Sequence, residues 1–414
     1  MRSLTVILFF VFSSIFGQEK RVSDIVFQGN TKTKASFLFK IIETKVGGVV
    51  NRKLLDKDVI RLKRLAAVAN ATVYVKEGTK IVFAIEENFT LIPDVNIWTT
   101  TNKRFAYRVG GNEFNLFGSN ITVGGFYQNN GFNTYGINFK APNLFSRNFG
   151  LAFYHQNWKS EEPLYFKGQS VNYLYNNISF EILGLYELNF KNHFQLGVNF
   201  FNEKYDYLKG ALPQGVPLSL DLNKRLLKLI YTFDDLNYFY QYISGFKSEF
   251  YGQYVTLVNK YQDDFLVAWN DLLYFKRVGE RGNWANRLRV GLSSNNKTPF
   301  APFALDNNVN LRGVGILVDR GTGSIVYNTE YRYTLYEKRW FILQGNAFMD
   351  AGTWREPGEE LKDFFKSENI KVYSGIGLRC MHKKIYNAVF RIDYGYGLTK
   401  NSSKGFVFGI GQYF

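Results

Sequence analysis

The chain has 414 residues, of which 46% are hydrophobic, 21% charged and 18% aromatic, a balance that excludes intrinsic disorder. A single Cys and three scattered His (His155, His193, His382) exclude a disulfide framework and a Cys-built zinc site, so neither metal nor cofactor is expected. The net charge is +16, but the basic residues are spread along the chain rather than gathered in one stripe, so nucleic acid is not expected as a partner.

Residues 1–17 have the pattern of a secretory signal peptide. Arg2 supplies the positive start, residues 4–16 are mainly apolar, and Ser13, Ser14 and Gly17 are small residues before a polar turn at Gln18. The apolar stretch is shorter than the ~20 residues a spanning helix needs. No later segment offers a long uninterrupted apolar run. An exported chain of this kind is either a soluble secreted protein or a membrane protein that crosses with strands closed into a barrel.

Residues 18–88 predict a small α+β domain in the order β-α-α-β-β. A strand over 22–27 ends at Gln28-Gly29-Asn30. A helix over 34–43 carries Phe37, Leu38, Ile41 and Ile42 on one face. After Gly47-Gly48, Asn51 is the expected N-cap of a second helix with Leu54, Leu55, Val59, Leu62 and Leu65 on one side. Residues 71–76 and 80–86 predict a hairpin around Glu77-Gly78-Thr79.

Residues 89–414 change rhythm, with aromatic-rich runs of period two separated by turns. In 388–398, Phe390, Ile392, Tyr394, Tyr396 and Leu398 alternate with Val389, Arg391, Asp393, Gly395 and Gly397. In 341–352, Leu343, Ala347 and Met349 oppose Gln344, Asn346 and Asp350. In 325–335, Tyr327, Tyr331, Tyr333 and Leu335 oppose Asn328, Glu330 and Arg332. Short connections near 115–118, 143–146, 337–339 and 382–384 alternate with longer ones expected near 159–169, 206–223, 294–323 and 353–370. Short turns on one side and long loops on the other are the pattern of an outer-membrane barrel, and roughly 20 residues per strand and connection give about 16 strands. The first is expected over 94–100 and the last over 405–414.

The chain resembles the BamA/TamA-type outer-membrane superfamily, also called the bacterial surface antigen family. The entry Ile25-Val26-Phe27-Gln28-Gly29-Asn30 and the β-α-α-β-β order resemble one POTRA domain. Asn115-Leu116-Phe117-Gly118 and Ala141-Pro142-Asn143-Leu144-Phe145 resemble the family's early periplasmic turns. Leu311-Arg312-Gly313-Val314-Gly315 resembles its V-R-G-[FY] motif in the sixth extracellular loop, with Leu311 and Val314 departing from the usual types. Phe348-Met349-Asp350-Ala351-Gly352 resembles its F-x-D-x-G strand motif, and Arg391-Ile392-Asp393-Tyr394-Gly395 its penultimate-strand signature. The sequence ends on Phe414, as many bacterial barrels do, although Gln412 stands where an apolar residue is usual. The resemblance implies a periplasmic POTRA domain followed by a 16-stranded antiparallel transmembrane barrel in the bacterial outer membrane.

Three groups of candidate functional residues follow. A loop lock in the lumen comprises Arg312, Gly313, Glu330, Asp350 and Asp393, with Arg312 expected to pair with Asp350, because a buried guanidinium needs carboxylate partners. A weak barrel seam comprises Asp94, Thr100, Gly405, Gly409, Gly411 and Phe414, since glycine within strands weakens pairing. A docking edge for an extended client comprises Ala71, Val73, Val75, Ile81 and Phe83, by strand addition.

No hydrolase, zincin, nucleotide-binding or dinucleotide motif is present, so no catalytic residue and no enzyme activity are expected. Asp234-Asp235 and Asp263-Asp264 are expected as strand-end or loop charges, and Cys380 as a buried apolar side chain. Three functional classes remain open. The chain is an insertase or translocator of polypeptide working without nucleotide, a passive pore or lipid-handling barrel, or a structural anchor or receptor for another chain. The expected partners are the outer-membrane bilayer and unfolded or exported polypeptides, with periplasmic chaperones or accessory lipoproteins as further candidates. No fused passenger is expected, so cargo would be a separate chain.

Overall fold

The computed structural model describes residues 20–99, 105–166, 169–258, 263–298, 301–307, 309–315, 319–386 and 388–414. The expected signal peptide and Thr100 lie outside them.

The N-terminal domain has the expected order: β1 (Asp24–Gln28), α1 (Ala35–Ile41), α2 (Arg52–Lys63), β2 (Val68–Lys76) and β3 (Lys80–Glu87). Asn51 caps α2, its side-chain oxygen accepting from Leu54 N at 3.2 Å, and Arg61 and Lys63 in the last turn complement the helix dipole. Buried Asp58 accepts from the backbone N–H groups of Glu43 (2.7 Å) and Thr44 (2.9 Å), fixing the exit of α1 against α2. Phe37, Leu38, Ile41, Leu55 and Leu62 close over the sheet residues Ile25, Ile81 and Phe83. The sheet order is β1-β3-β2, with β3 parallel to β1 and antiparallel to β2.

The remaining strands run β4 (Leu91–Thr99), β5 (Phe105–Leu116), β6 (Ile121–Asn129), β7 (Asn133–Ala141), β8 (Phe149–Phe166), β9 (Gln169–Asn189), β10 (Asn192–Gly210) and β11 (Ser219–Phe239). They continue with β12 (Tyr242–Leu257), β13 (Phe265–Val278), β14 (Gly282–Ser293), β15 (Phe303–Leu305), β16 (Asp319–Gly321), β17 (Gly323–Lys338), β18 (Phe341–Arg355), β19 (Ile370–His382), β20 (Val389–Gly397) and β21 (Lys404–Ile410). Sixteen of them form one antiparallel sheet in which each pairs with its neighbours in sequence, while β15 and β16 make a separate ribbon inside the loop between β14 and β17.

Alternation sorts the two faces. Tyr327, Tyr331, Tyr333, Phe390, Ile392, Phe406 and Phe408 lie exposed on the outside, whereas Asn328, Glu330, Arg332, Asp350, Arg379 and Asp393 are buried inside. Apolar surface on this scale belongs against lipid rather than water. Cys380 corrects its expectation: it sits on the apolar face beside Leu378, but that face is the outer one and the thiol is exposed.

The expected long loops at 159–169 and 206–223 are instead mostly strand. β8, β9, β10 and β11 run on as extended hairpins, held beyond the barrel wall by Leu164, Val171, Tyr173, Tyr205, Leu220, Leu222 and Leu257, which pack as one cluster. Of the other two, 294–323 holds the β15–β16 ribbon and 353–370 a 3-10 turn at Leu361–Phe365. The last strand stops at Ile410, short of the expected Phe414, and Asp234-Asp235 lie inside β11 rather than beyond it.

Candidate functional site

In the loop between β14 and β17, residues 309–315 fold into the lumen and deliver Arg312, which is fully buried, to carboxylates on three strands. Arg312 Nε and Nη2 donate to the two oxygens of Asp350 on β18, each at 2.9 Å, and its backbone N–H adds a third bond to Asp350 at 3.0 Å. Nη1 donates to Glu330 on β17 at 2.6 Å, while Asp393 on β20 stands off at 3.7 Å. Asn328 completes the shell of Asp350 with a bond at 2.8 Å from the amide whose other hydrogen reaches Asn310 O at 2.7 Å. Asp350 thus accepts four hydrogen bonds, about as many as a carboxylate takes. The Arg312 guanidinium also lies 3.6 Å from the Phe348 ring centroid.

The loop reaches this position because Gly313 takes φ +96 and because β20 presents Gly395 to it. A Cβ on Gly395 would lie 2.2 Å from Arg312 O. Two motifs far apart in sequence therefore meet backbone to backbone.

Sequence reasoning missed further members. Arg379 donates to both oxygens of Glu330 (2.9 and 3.0 Å), Arg332 bonds the same carboxylate, and Arg391 donates to Asp393 at 3.2 Å. The strand period already puts Arg332 and Arg391 on the face that carries the acids; what it does not show is that they pair with Glu330 and Asp393.

The seam strands β4 and β21 form the two edges of the sixteen-stranded sheet, and no ladder joins them among the described residues. At the foot of the seam, Phe89 N donates to Lys384 O (2.8 Å) and Tyr386 N to Phe89 O (3.1 Å). Asp94 is half-exposed and pairs with Arg108 at 2.6 Å within the β4–β5 hairpin. A Cβ on Gly405 would meet nothing, whereas one on Gly409 would lie 2.5 Å from the Arg391 guanidinium, so Gly409 makes room in the lumen. Gly411 and Phe414 are corrections: neither belongs to β21, because Gly411 at φ +86 turns the chain inward and Phe414 packs against Leu236, Phe275 and Ala285 in the lumen.

The docking edge is corrected too. Ile81 and Phe83 lie on the central strand β3, paired on both sides, with side chains fully buried, and Ala71 is also buried. The strand order leaves the outer edge of β2, with Val73 and Val75 half-buried on it, paired on one side only among the described residues.

The N-terminal domain is fastened across the mouth of the barrel at its short-turn end. From α2, Arg61 donates to Glu187 at 2.5 Å, and Arg64 donates to Phe190 O (2.9 Å), forms an ion pair with Asp234 (3.1 Å) and stacks 4.3 Å from the Phe190 ring. Asn115 donates to Thr33 Oγ1 at 3.1 Å, Lys34 N to Gly118 O at 3.0 Å, and Tyr240 to Glu86 at 2.8 Å. Burial would raise the Glu87 carboxyl. Hydrogen bonds from the Thr31 hydroxyl, from Thr33 and from the backbone of Lys32 outweigh it and hold the group down at about 2. Glu43 is likewise held below its ordinary range, against the opposing effect of burial, by Lys57, Arg61 and Arg147. A chamber of about 640 Å³ remains between Arg64, Asp234, Tyr238 and Phe414, and a second of about 1100 Å³ opens at the far end among Glu162, Tyr175, Lys224 and Arg320.

Comparison with known proteins matches this geometry. Residues 20–88 match the POTRA family model, described as a surface antigen variable number repeat. No curated protein matches the sequence. Among solved structures, the chain is similar to BamA from Haemophilus ducreyi lacking POTRA domains 1-3, with 14% identity and a TM-score of 0.56 over 94% of this chain and 83% of that one. CdiB from Acinetobacter baumannii matches at 14% identity and TM-score 0.59, covering 94% and 73% of the two chains. CdiB from Escherichia coli matches at 12% and 0.60, covering 94% and 75%. The chain therefore shares the fold of BamA and CdiB, with a POTRA domain over residues 20–88 followed by a sixteen-stranded barrel sheet.

Proposed function

We propose that this protein resides in the bacterial outer membrane, with its POTRA domain in the periplasm, and handles polypeptide there without enzymatic chemistry, as an insertase or translocator. The observation that carries this reading is the pair of sheet edges β4 and β21, left without a mutual ladder among the described residues while every other neighbouring pair in the sheet is hydrogen-bonded. An unpaired edge is a template for an incoming strand. The free edge of β2 offers a second template on the periplasmic side. The free energy would come from client folding and from burial of client surface in the bilayer. A passive pore is disfavoured because the Arg312 loop occupies the lumen and the POTRA domain lies across the mouth.

The test is depletion of the protein followed by quantitative proteomics of outer-membrane and surface fractions. Loss of many unrelated barrels is expected for a general insertase, and loss of one or two exported proteins for a dedicated translocator. No change in either fraction overturns the proposal. A complementing variant sharpens the seam claim: one cysteine on β4 and one on β21, in a Cys380→Ser background, joined by a short crosslinker, should fail to restore the lost proteins.

A further inference from the structure

Along β21, Phe406, Phe408 and Ile410 face outward, and strict alternation would send Gln412 outward after them. An amide there would meet hydrocarbon with no partner. The structure avoids this. Gly411 leaves the ladder at φ +86, its N–H still donating to Val389 O at 2.8 Å, and the next three residues enter the lumen. Gln412 accepts from Arg379 Nε at 3.1 Å. The Tyr413 hydroxyl donates to Asn307 O at 3.0 Å, and its ring centroid lies 4.4 Å from the Arg312 guanidinium and 4.9 Å from that of Arg391. Asn307 in turn closes the lock loop on itself, accepting from Gly313 N at 2.6 Å and donating its own N–H to Gly315 O at 2.7 Å. One side chain, Tyr413, thus touches both the loop that carries Arg312 and the strand that carries Arg391.

We propose that residues 411–414 are a latch that couples the seam strand β21 to the lock loop at Asn307 and residues 309–315. While the tail is seated, it holds the loop. When the strand grows past Ile410, as it would on pairing with an incoming strand, Tyr413 is carried about 10 Å beyond Ile410 at the ~3.4 Å rise of a strand and leaves Asn307 and Arg312. The loop then loses its contact with the tail. The trigger rests on the seam reading above, whereas the coupling is intrinsic to the chain and is measured without a client. Coupling of this kind is reciprocal, so releasing the loop also frees the tail.

The experiment uses the full chain reconstituted in phosphatidylcholine vesicles, with its folded state checked by heat-modifiable gel mobility. Tryptic cleavage at Arg312, fully buried in the seated state, reports loop release. Tyr413→Ala is expected to speed this cleavage on the order of tenfold, for loss of a buried hydrogen bond and the guanidinium–ring contacts, and Tyr413→Phe by a smaller factor. In the opposite direction, Arg312→Ala is expected to speed carboxypeptidase removal of Phe414 and Tyr413. Lys228→Ala, which breaks a lumen pair with Glu181 on the β9–β11 wall, should change neither rate. If Tyr413→Ala does not fold, Tyr413→Phe and Gln412→Ala carry the same measurement. Unchanged loop cleavage in the folded tail variants, or unchanged trimming in Arg312→Ala, overturns the latch. A normal outer-membrane proteome after depletion, together with intact coupling, would overturn the proposed function and leave the latch standing.

Discussion

Arg312 in the lumen and Arg64 at the mouth beside the POTRA domain each bind a carboxylate and lie against an aromatic ring, yet their surroundings are opposite. Arg312, Asp350 and Glu330 are wholly buried, and every oxygen of Asp350 is engaged. Arg64 and Asp234 keep part of their surface in solvent, with side-chain exposures of 16% and 19%, and three of the bonds made by Arg64 go to backbone carbonyls of barrel residues. Burial raises the cost of breaking a pair far above the net gain of forming it, because the partner left behind is an uncompensated charge. A pair near water loses only a modest interaction when one member goes. The lock is therefore the costlier of the two to break, and the fastening of the POTRA domain the less costly.

The largest expected effect follows from the lock. Asp350→Ala should destabilise the barrel by about 3–5 kcal/mol, the cost of leaving Arg312 Nε and Nη2 buried without their carboxylate. A urea unfolding curve in vesicles reads it, and a loss below about 1 kcal/mol would mean that water reaches the site and that the two regions are alike. Arg64→Ala should cost about 1–2 kcal/mol of POTRA docking, for charge-assisted bonds with partial exposure, and leave the unfolding midpoint of the barrel in place. Spin-label distances between α2 and the β9–β10 turn should broaden, and an unchanged distribution would show that the contacts with Thr33 and Gly118 suffice.

The smallest effect concerns pH. The Glu87 carboxyl is held at about 2 in the folded domain, below its value in the unfolded chain. Its contribution is fully present above the unfolded value of roughly 4.3 and is lost as pH falls through the folded one. Acid titration of the POTRA domain in the full chain, followed by circular dichroism, should show stability falling below about pH 4, and Glu87→Gln should flatten that fall while costing about 1 kcal/mol at neutral pH. An identical acid slope in the variant would assign the sensitivity to other groups, Glu43 first.

Much of this was legible along the chain because strand and helix periods are local. The runs at 325–335, 341–352 and 388–398 assign Glu330, Asp350 and Asp393 to the lumen by counting alone, and the structure buries all three. Asn51 could be recognised as a cap from its place before the first apolar helical residue. What failed was non-local. Ile81 and Phe83 looked like edge residues because the hairpin is local, whereas the parallel pairing that places β3 in the centre joins residues far apart in sequence. The hairpins β8–β9 and β10–β11 looked like loops because the cluster that extends them gathers side chains from five strands.

The sequence by itself determined the two regions, the period of the sheet and the side of each strand that carries charge, since each depends on residues a few positions apart. Only the tertiary structure decided that β3 is the central strand and β2 an edge of the sheet among the described residues, that Arg61 and Arg64 fasten the POTRA domain to the barrel, and that Gly411 sends Tyr413 into the arginine cluster. The physical reason is the same in each case. These outcomes depend on which groups, distant in sequence, must share a desolvated space and satisfy one another there, and no periodicity records that.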